Sequence, residues 1–349
     1  MRAIFLIIDY VPHQVISIRT LMEKENADVL AFHVGRYKKE IPELGSKFKT
    51  FQYKSISFLA MLDLIRNFNA DVIITAGWMI PDYNRICKKL KKESNIPIIA
   101  LSDTPWYGTF RQKVNAFLSP YYLKKMFSHL WVAGIRQYDY ARKLGFTNKQ
   151  IIFGSLTANN EIFRQVNIDM KNIKYPKNFL FLGSLIELKG LRNLTKAWQS
   201  IEDTKGWTFT LVGSGALKNE LAQSKEFIIK DHLQQTDLIA EMQTAGCFVL
   251  PSLHEQWAIV LHEAAVAGLP IICTETCGAA PHFVINGYNG FKIADNSVQD
   301  LKLKLQAITE KTDEELLRMS FNSRKLGENL SPELHLANLL QVIDERKEK

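Results

Sequence analysis

Residues 247–274 decide the fold, and their sequence is CFVLPSLHEQWAIVLHEAAVAGLPIICT. The stretch begins with a short apolar run, passes through a polar loop and continues with helical spacing of its apolar residues. The helical pattern ends at Gly268-Leu-Pro270, because glycine ends helices and proline cannot continue them. A second apolar run follows at once. The stretch therefore predicts strand, loop, helix and strand, which is the repeating unit of a parallel sheet.

The same alternation extends through the whole chain in two series. Candidate strands are 3–8, 29–33, 72–75, 98–101, 130–132 and 151–153 in the first series, and 179–182, 208–212, 227–230, 247–250 and 271–274 in the second. Apolar strands separated by helices indicate parallel α/β sheets. We expect two doubly wound, Rossmann-like domains at 1–165 and 166–330, joined through the polar stretch 159–177, with a helical tail at 331–349.

Length and composition support two soluble domains. At about 150 residues per domain, 349 residues predict two. The 46% hydrophobic content excludes a disordered chain. The first apolar run is only six residues long, too short for a spanning helix or a signal peptide. The four cysteines form no C-x-x-C and the eight histidines no H-E-x-x-H, so we expect a reducing cytoplasm, no metal site and no cofactor.

Charge is distributed unevenly between the two halves. Residues 1–165 contain 24 Lys and Arg against 13 Asp and Glu, and residues 166–349 contain 20 against 23. The basic half includes 111–127, where cations alternate with aromatic and aliphatic residues. This composition is typical of a helix on anionic lipid, although a solvated helix packed on its own sheet has a similar composition. A phosphorylated substrate would also suit the charge, whereas no nucleic-acid module is visible.

A phosphate site is indicated in the stretch FLFLGSLIELKGL at 179–191. A strand runs into Gly183, whose missing side chain allows a ligand to approach the backbone. Lys189 and Gly190 precede a helix, where free N–H groups and the helix dipole attract phosphate. A surface lysine beside a turn glycine is the alternative interpretation.

A second glycine turn, Gly213-Ser-Gly215, also follows a strand. The third glycine of a dinucleotide fingerprint would fall on Lys218, and the motif does not follow the first strand of the chain. We therefore interpret it as a tight strand-to-helix turn that lines a nucleotide pocket.

Two glutamates in the deciding stretch, Glu255 and Glu263, are eight residues apart. On one helix they would lie about 80° apart. We expect Glu255 in the loop and Glu263 near the start of the helix, both facing a solvated cleft. A carboxylate there can accept two hydrogen bonds from a ribose diol. Ordinary charges at a helix start are the alternative.

Taken together, the order and spacing of these motifs resemble the family 4 retaining glycosyltransferases, also called glycosyl transferases group 1, which have the GT-B fold. The resemblance covers residues 179–292 and implies two Rossmann-like domains that face each other across a cleft, the first on the acceptor side and the second binding the nucleotide sugar. It also implies that the C-terminal helix at 331–349 crosses back onto the N-terminal domain. It implies sugar transfer with retention, ordinarily without a metal. By this resemblance, Glu263 holds the ribose of a nucleotide-diphosphate sugar, Lys189 contacts its diphosphate, and Glu255 contacts hydroxyls of the donor sugar.

The resemblance also assigns the rest of the site. The expected substrate-binding residues are Gly183, Ser184, Lys189, Gly213, Glu255, Gln256, Trp257, Ala258, Ile259 and Glu263, with backbone amides of 256–259 meeting the phosphate or sugar. The expected catalytic residues are Glu255, Lys189 and Asp103, the last on the acceptor side. Ser184 stands where the family often has arginine, Asp103 follows Ser102 where members often have His-Asp, and no glycine-rich loop follows the first strand.

The function implied is a hexosyltransferase of cell-surface polysaccharide synthesis that uses a glycan or lipid-linked acceptor. We expect a cytoplasmic protein, peripheral to the inner face of the membrane if the basic patch binds lipid. A nucleotide-sugar epimerase of GT-B architecture is one alternative. A non-catalytic protein that binds sugar nucleotides is the other, suggested by Ser184 and the missing loop. The base, sugar, acceptor and linkage are left open.

Overall fold

The computed structural model describes residues 1–36 and 40–347. The chain forms two compact units: unit 1 comprises the described residues of Met1–Thr157 and Ser331–Lys349, and unit 2 comprises Ala158–Leu330. Each unit contains one parallel sheet, so the predicted pair of doubly wound α/β domains is confirmed. The division lies eight residues before the position 165/166 expected from the sequence.

Unit 1 is built on a seven-stranded sheet in the order β3-β2-β1-β4-β5-β6-β7. Its strands are β1 (Arg2–Ile7), β2 (Asp28–His33), β3 (Phe48–Gln52), β4 (Val72–Thr75), β5 (Ile98–Ser102), β6 (His129–Val132) and β7 (Ile151–Phe153). The connecting helices are α1 (Pro12–Glu25), α2 (Phe58–Phe68), α3 (Pro81–Glu93), α4 (Phe110–Tyr122) and α5 (Ile135–Lys143). The central strands are uniformly apolar because helices cover both faces of the sheet.

Unit 2 is built on a six-stranded sheet in the order β10-β9-β8-β11-β12-β13. Its strands are β8 (Asn178–Leu182), β9 (Thr208–Val212), β10 (Ile228–Lys230), β11 (Cys247–Leu250), β12 (Ile271–Thr274) and β13 (Gly290–Ile293). Its helices are α6 (Asn160–Phe163), α7 (Leu191–Gln199), α8 (Lys218–Gln223), α9 (Gln235–Gln243), α10 (Ile259–Val266), α11 (Ala280–Phe283), α12 (Val298–Thr309) and α13 (Asp313–Gly327).

The polar stretch 159–177, interpreted from the sequence as the crossing between domains, is packed into unit 2. The Tyr175 hydroxyl donates to the carbonyl of Gly246 at 2.9 Å, and the Lys171 ammonium donates to the carbonyl of Ala245 at 2.8 Å. Burial lowers the pKa of Lys171 to about 7. These buried polar side chains anchor the stretch to the sheet, so most of it is part of the domain.

The tail forms helix α14 (Pro332–Lys347) and belongs to unit 1. The His335 ring stacks on Trp131, with ring centroids 4.1 Å apart, and its Nδ1 lies 2.7 Å from the carbonyl oxygen of Gly154. Leu336 and Leu339 join the apolar cluster on one face of the unit 1 sheet. Within residues 1–36 and 40–347, no helix has the length and apolar content needed to cross a bilayer.

Candidate active site

The expected donor-side residues of unit 2 lie where the strand order of the sheet reverses. Strands β8 and β11 pair directly, although three helices and two strands separate them in sequence. The loops that follow them therefore begin side by side at the carboxyl edge of the sheet. The amide of Leu253 donates to the carbonyl of Leu188 at 2.9 Å and joins the two loops. Such a switch point is where open parallel sheets bind ligands.

Two glycines allow the backbone to pack closely at this edge. Gly190 has φ of +69°, and a Cβ there would lie 2.0 Å from the carbonyl oxygen of Pro251. Gly213 has φ of +153°, and a Cβ there would lie 1.9 Å from the carbonyl oxygen of Gly183. Neither distance is sterically allowed, so only glycine fits at these positions. The loops after β8, β9 and β11 are thus packed backbone against backbone.

The expected pair Lys189 and Glu255 is brought together by these loops. Lys189 lies at the end of a short 3₁₀ turn after β8, and Glu255 lies in the loop after β11. The Lys189 ammonium forms a hydrogen-bonded ion pair with Oε2 of Glu255. Both side chains are partly exposed, so the pair is accessible to a ligand at the switch point. The ion pair places a cation and an acceptor carboxylate in one site.

The loop that carries Glu255 is held rigidly by its backbone. The amides of Gly278 and Ala279 donate to the carbonyls of Glu255 and Trp257, at 3.2 and 2.8 Å. Ala258 begins helix α10 with φ of 72° and ψ of 74°, a left-handed conformation that costs a non-glycine residue about 1–2 kcal/mol. Local strain of this kind is concentrated at functional sites.

Glu263 lies deeper than expected. It is the fifth residue of α10 instead of a residue in its first turn, and only 8% of it is exposed. The amide nitrogen Nε2 of Gln235, at the start of α9, donates to Oε1 of Glu263 at 3.1 Å. Burial raises the pKa of Glu263 to about 7, although the hydrogen bond from Gln235 opposes the shift. The expectation that Glu263 faces a solvated cleft near the helix start is therefore corrected: the side chain is buried, and its pKa lies near neutral pH.

The other donor-side residues differ in exposure. Ser184 is exposed, Gln256 and Ile259 are half-buried, and Ala258 is buried. Trp257 is 3% exposed and its ring packs against His282 and Phe283, so the indole supports the loop from within. Its Nε1 and the hydroxyl of Ser252 are buried without a hydrogen-bond partner within the described residues. Unpaired buried polar atoms at both ends of this loop are unusual in a purely structural segment.

His262, beside Glu263, has a structural role. Its Nδ1 accepts a hydrogen bond from the amide of Ala158 at 2.9 Å, so the proton is on Nε2, which donates to the carbonyls of Gly327 and Leu330 at 2.9 and 3.0 Å. Burial lowers its pKa to about 4. The described part of the chain contains no group of three or more side chains that could hold a metal ion.

Asp103 lies in unit 1, at the carboxyl ends of β4 and β5. It is exposed and lines a cavity of about 310 Å³ together with Trp78, Arg111 and Tyr140. Its carbonyl accepts a hydrogen bond from Nε2 of the buried Gln137 at 3.0 Å, which fixes the loop. The cavity has the position and size of a small-ligand site in a doubly wound domain.

Sequence reasoning missed several residues at these sites. Gln235 contacts Glu263 from a helix 28 residues away, and no local motif marks it. Arg111 and Tyr140 join the cavity of Asp103 from helices α4 and α5. The basic character of 111–127 was visible, but its position beside a cavity depends on the packing of α4.

Two doubly wound parallel sheets, with polar side chains at the switch point of the second, define the class of GT-B proteins. HepE from Anabaena, solved in complex with UDP-glucose, aligns with 99% of this chain and all of its own chain, with a TM-score of 0.74 and 14% identity. This likeness shows the fold.

Residues 159–326 match the family model "Glycosyl transferases group 1". The match covers most of unit 2, and this part of the chain belongs to the family.

Curated relatives share parts of the chain. A glycogen synthase of Mycobacterium tuberculosis is 30% identical over 145 residues, which is 39% of this chain and 34% of that protein. The N,N'-diacetylbacillosaminyl-diphospho-undecaprenol alpha-1,3-N-acetylgalactosaminyltransferase of Campylobacter jejuni is 22% identical over 330 residues, 86% of this chain and 85% of that protein. The chain spans a third to a half of the length of the curated relatives it matches first.

Proposed function

We propose that the protein is a retaining, metal-independent glycosyltransferase that moves a hexose from a nucleotide-diphosphate sugar to a glycan or lipid-linked acceptor. The observation that carries the proposal is the ion pair of Lys189 and Glu255 between the loops after β8 and β11, at the switch point of unit 2, with Glu263 on the helix α10 that follows the second loop. A cation for diphosphate, a carboxylate for sugar hydroxyls and a second carboxylate for ribose are the groups that a donor of this kind requires.

Lys189 has the leading electrostatic role. Departure of the nucleoside diphosphate places negative charge on its phosphate oxygen, and a positioned ammonium stabilises that charge. In the structure this ammonium is neutralised by Glu255. The donor diphosphate therefore competes with Glu255 for Lys189, and the freed Glu255 carboxylate can accept hydrogen bonds from hydroxyls of the donor sugar.

Glu263 is suited to a ribose diol in its ionised form. Its buried carboxylate receives a hydrogen bond from Gln235 and can accept further bonds from ribose hydroxyls. The backbone amides of 256–259, held in place by the strained Ala258, would meet the phosphate or sugar. HepE of the same fold was solved with UDP-glucose, which supports a uridine diphosphate sugar as the first donor to test.

The acceptor would bind in the cavity of unit 1, where Asp103 would accept a hydrogen bond from the attacking hydroxyl. The name of the Campylobacter jejuni relative includes a diphospho-undecaprenol acceptor, and this supports a lipid-linked acceptor. We also propose that the protein acts at the inner face of the membrane, in the synthesis of lipid-linked or cell-surface glycans.

Donor binding and turnover test the proposal. UDP-glucose and other nucleotide sugars should raise the melting temperature of the parent, and slow hydrolysis of one of them should release its nucleoside diphosphate. Glu263→Gln should abolish the shift, whereas Glu202→Gln, an exposed surface change in unit 2, should retain it. Retained binding in Glu263→Gln would refute the assignment.

Analysis of the products separates the alternatives. A transferase with a suitable acceptor yields a glycoside of retained configuration, and its activity should persist in excess chelator. Release of an isomerised free sugar would indicate an epimerase. Tight donor binding without any turnover would indicate a non-catalytic protein.

A further inference from the structure

Helix α4 in unit 1 has an unusual distribution of side chains. At about 100° per residue, five apolar side chains fall within a single sector of about 100°. They are Phe110, Val114, Phe117, Leu118 and Tyr121. All five are exposed, and Phe110, Phe117 and Tyr121 have exposed fractions of 83%, 75% and 67%.

The inward face of α4 is polar. Gln112 is buried and its Nε2 donates to the carbonyl of Pro105 at 2.7 Å. Ser119 is fully buried and its hydroxyl donates to the carbonyl of Leu144 at 2.7 Å. A helix that covers a sheet normally turns its apolar stripe inward. Here hydrogen bonds hold the polar face against the domain, so the apolar stripe faces solvent.

Cations lie on both sides of this stripe. Arg111 and Lys113 flank it on α4, and Lys125 follows the helix; all three are exposed. Unit 1 contains 26 Lys and Arg against 16 Asp and Glu, whereas unit 2 contains 18 against 20. A contiguous apolar patch of this kind marks an interaction site. Its ring of positive charge, on a positive unit, favours an anionic partner over a second copy of the same surface.

The inward face of the same helix lines the cavity of unit 1. Arg111, Gln112 and Asn115 form one wall, and Asp103 lies in the cavity. Arg111 lies between the exposed stripe and this wall, at about 100° from Phe110 on the helix. A surface that covered the stripe would therefore lie beside the cavity.

We propose that the exposed face of α4 docks unit 1 onto an anionic lipid surface, with the aromatic rings inserted and the cations facing the headgroups. The cavity with Asp103 then opens next to the lipid headgroups, where the sugar of a lipid-linked acceptor is presented. This second clause rests on the proposed transferase function, whereas docking itself does not. Aromatic and basic side chains on one helix are the usual composition of interfacial binding.

Vesicle sedimentation tests the apolar contribution. The full chain is mixed with phosphatidylcholine vesicles that contain 30% phosphatidylglycerol, and with vesicles of phosphatidylcholine alone. We expect binding to the anionic vesicles that falls at least tenfold in Phe117→Ser/Tyr121→Ser. The matched control Leu59→Ser/Ile173→Ser removes two exposed apolar side chains elsewhere and should bind like the parent. Equal sedimentation of both double variants would overturn the proposal.

Charge variants test the electrostatic contribution. Lys113→Gln/Lys125→Gln should weaken binding to anionic vesicles several-fold and reduce its salt dependence. Lys88→Gln/Lys89→Gln removes the same charge from exposed positions on α3 and should have little effect. If the two pairs behave alike, the net charge of unit 1, and not α4, attracts the lipid.

Two further readouts separate docking from function. Loss of a concentration-dependent dimer in Phe117→Ser/Tyr121→Ser, with vesicle binding unchanged, would assign the stripe to a second copy and overturn lipid docking.

Hydrolysis of the donor in solution should be equal in parent and variant, while transfer to a vesicle-bound acceptor should fall. Vesicle binding by a protein that neither binds nor hydrolyses sugar nucleotides would refute the proposed function and leave docking intact.

Discussion

The site in unit 2 and the cavity in unit 1 occupy equivalent edges of similar sheets but are built differently. In unit 2 the strand-end loops touch through their backbones, and Gly190 has no room for a Cβ. In unit 1 the cavity is bounded by side chains such as Trp78 and Tyr140 around an exposed Asp103. A substitution can replace a side chain but cannot easily replace a contact between backbones. The site in unit 2 therefore suits a ligand that is the same in many related proteins, and the cavity in unit 1 suits a ligand that differs between them.

The largest contrast is expected from a methyl group added at one strand-end glycine of each unit. In Gly190→Ala the new Cβ would lie 2.0 Å from the Pro251 carbonyl oxygen, so the loops must separate. We expect a loss of at least about 2 kcal/mol of folding free energy, from strain and overpacking, and no measurable donor binding. Urea unfolding and calorimetric titration with UDP-glucose measure both.

Gly77→Ala in unit 1 is the matched control. Its φ is similar, at +72°, but the new Cβ would lie 3.3 Å from the Leu101 carbonyl oxygen. We expect a loss of about 1 kcal/mol from backbone strain alone, with donor affinity retained. Similar losses in both variants would show that the close packing of unit 2 has no special role.

Removing a charged side chain from one site should weaken binding of the ligand of that site only. Lys189→Met removes a charged hydrogen bond worth about 1.5–3 kcal/mol, or roughly 10–150-fold in donor affinity. It also leaves Glu255 unpaired beside the diphosphate. The double variant Lys189→Met/Glu255→Gln should therefore bind the donor better than Lys189→Met alone. Calorimetric titrations of the two variants measure this difference.

Asp103→Asn should affect the acceptor and not the donor. Because Asp103 lies in the cavity of unit 1, this change should leave donor affinity unaltered and lower transfer to the acceptor. Donor titration and acceptor kinetics on the same preparation check it. A weakened donor complex in Asp103→Asn would break the assignment of separate ligands to the two units.

The pH response is the next effect in size. Glu263 has a pKa of about 7 in the folded protein, raised from 4.5 by burial. Its ionised form accepts both ribose hydroxyls, so affinity for UDP-glucose should rise about tenfold between pH 6 and pH 8. Titration across this range measures the rise, and Glu202→Gln, which leaves the site intact, should show the same rise. A donor affinity that does not change with pH would show that ionisation of Glu263 has no part in binding.

As the pH rises from 4.5 to about 7, folding stability should fall, whereas donor affinity should rise. A raised acid pKa means that the unfolded chain releases this proton near pH 4.5 and the folded chain near pH 7. The contribution of Glu263 to the free energy of unfolding is therefore greatest below pH 4.5, and it is lost as the pH rises to about 7. Glu263→Gln should be the more stable protein above pH 7. If it is less stable there, burial is not the cause of the shift.

The smallest expected effect is at the strained start of α10. Ala258→Gly relieves a φ of 72° and should gain up to about 1 kcal/mol, reduced by the greater entropy of glycine in the unfolded chain. Because the loop of Glu255 then loses a restraint, donor affinity should fall a few-fold. Thermal unfolding of the parent and of Ala258→Gly, with and without UDP-glucose, measures both the stability and the donor affinity. An unchanged donor affinity would show that the strain at Ala258 has no part in binding.

The sequence by itself determined the strands of both series other than β3 and β13, and the assignment of Lys189 and Glu255 to one edge. Continuous apolar runs predict buried parallel strands, and residues that follow such strands share an edge. The edge strands β3 and β13 were not predicted. The other two edge strands, β7 and β10, were predicted because each contains a short apolar run, whereas β3, with the sequence Phe-Lys-Thr-Phe-Gln, has none.

Only the tertiary structure decided the burial of Glu263, its contact with Gln235 and the outward orientation of the apolar stripe of α4. Each depends on segments distant in sequence: Gln235 at the start of α9 donates to Glu263 on α10, and the carbonyls of Pro105 and Leu144 hold the polar face of α4. A helical pattern shows that one face is apolar but not which face meets the sheet. That choice is made by the hydrogen bonds available on the domain surface, which the local sequence does not contain.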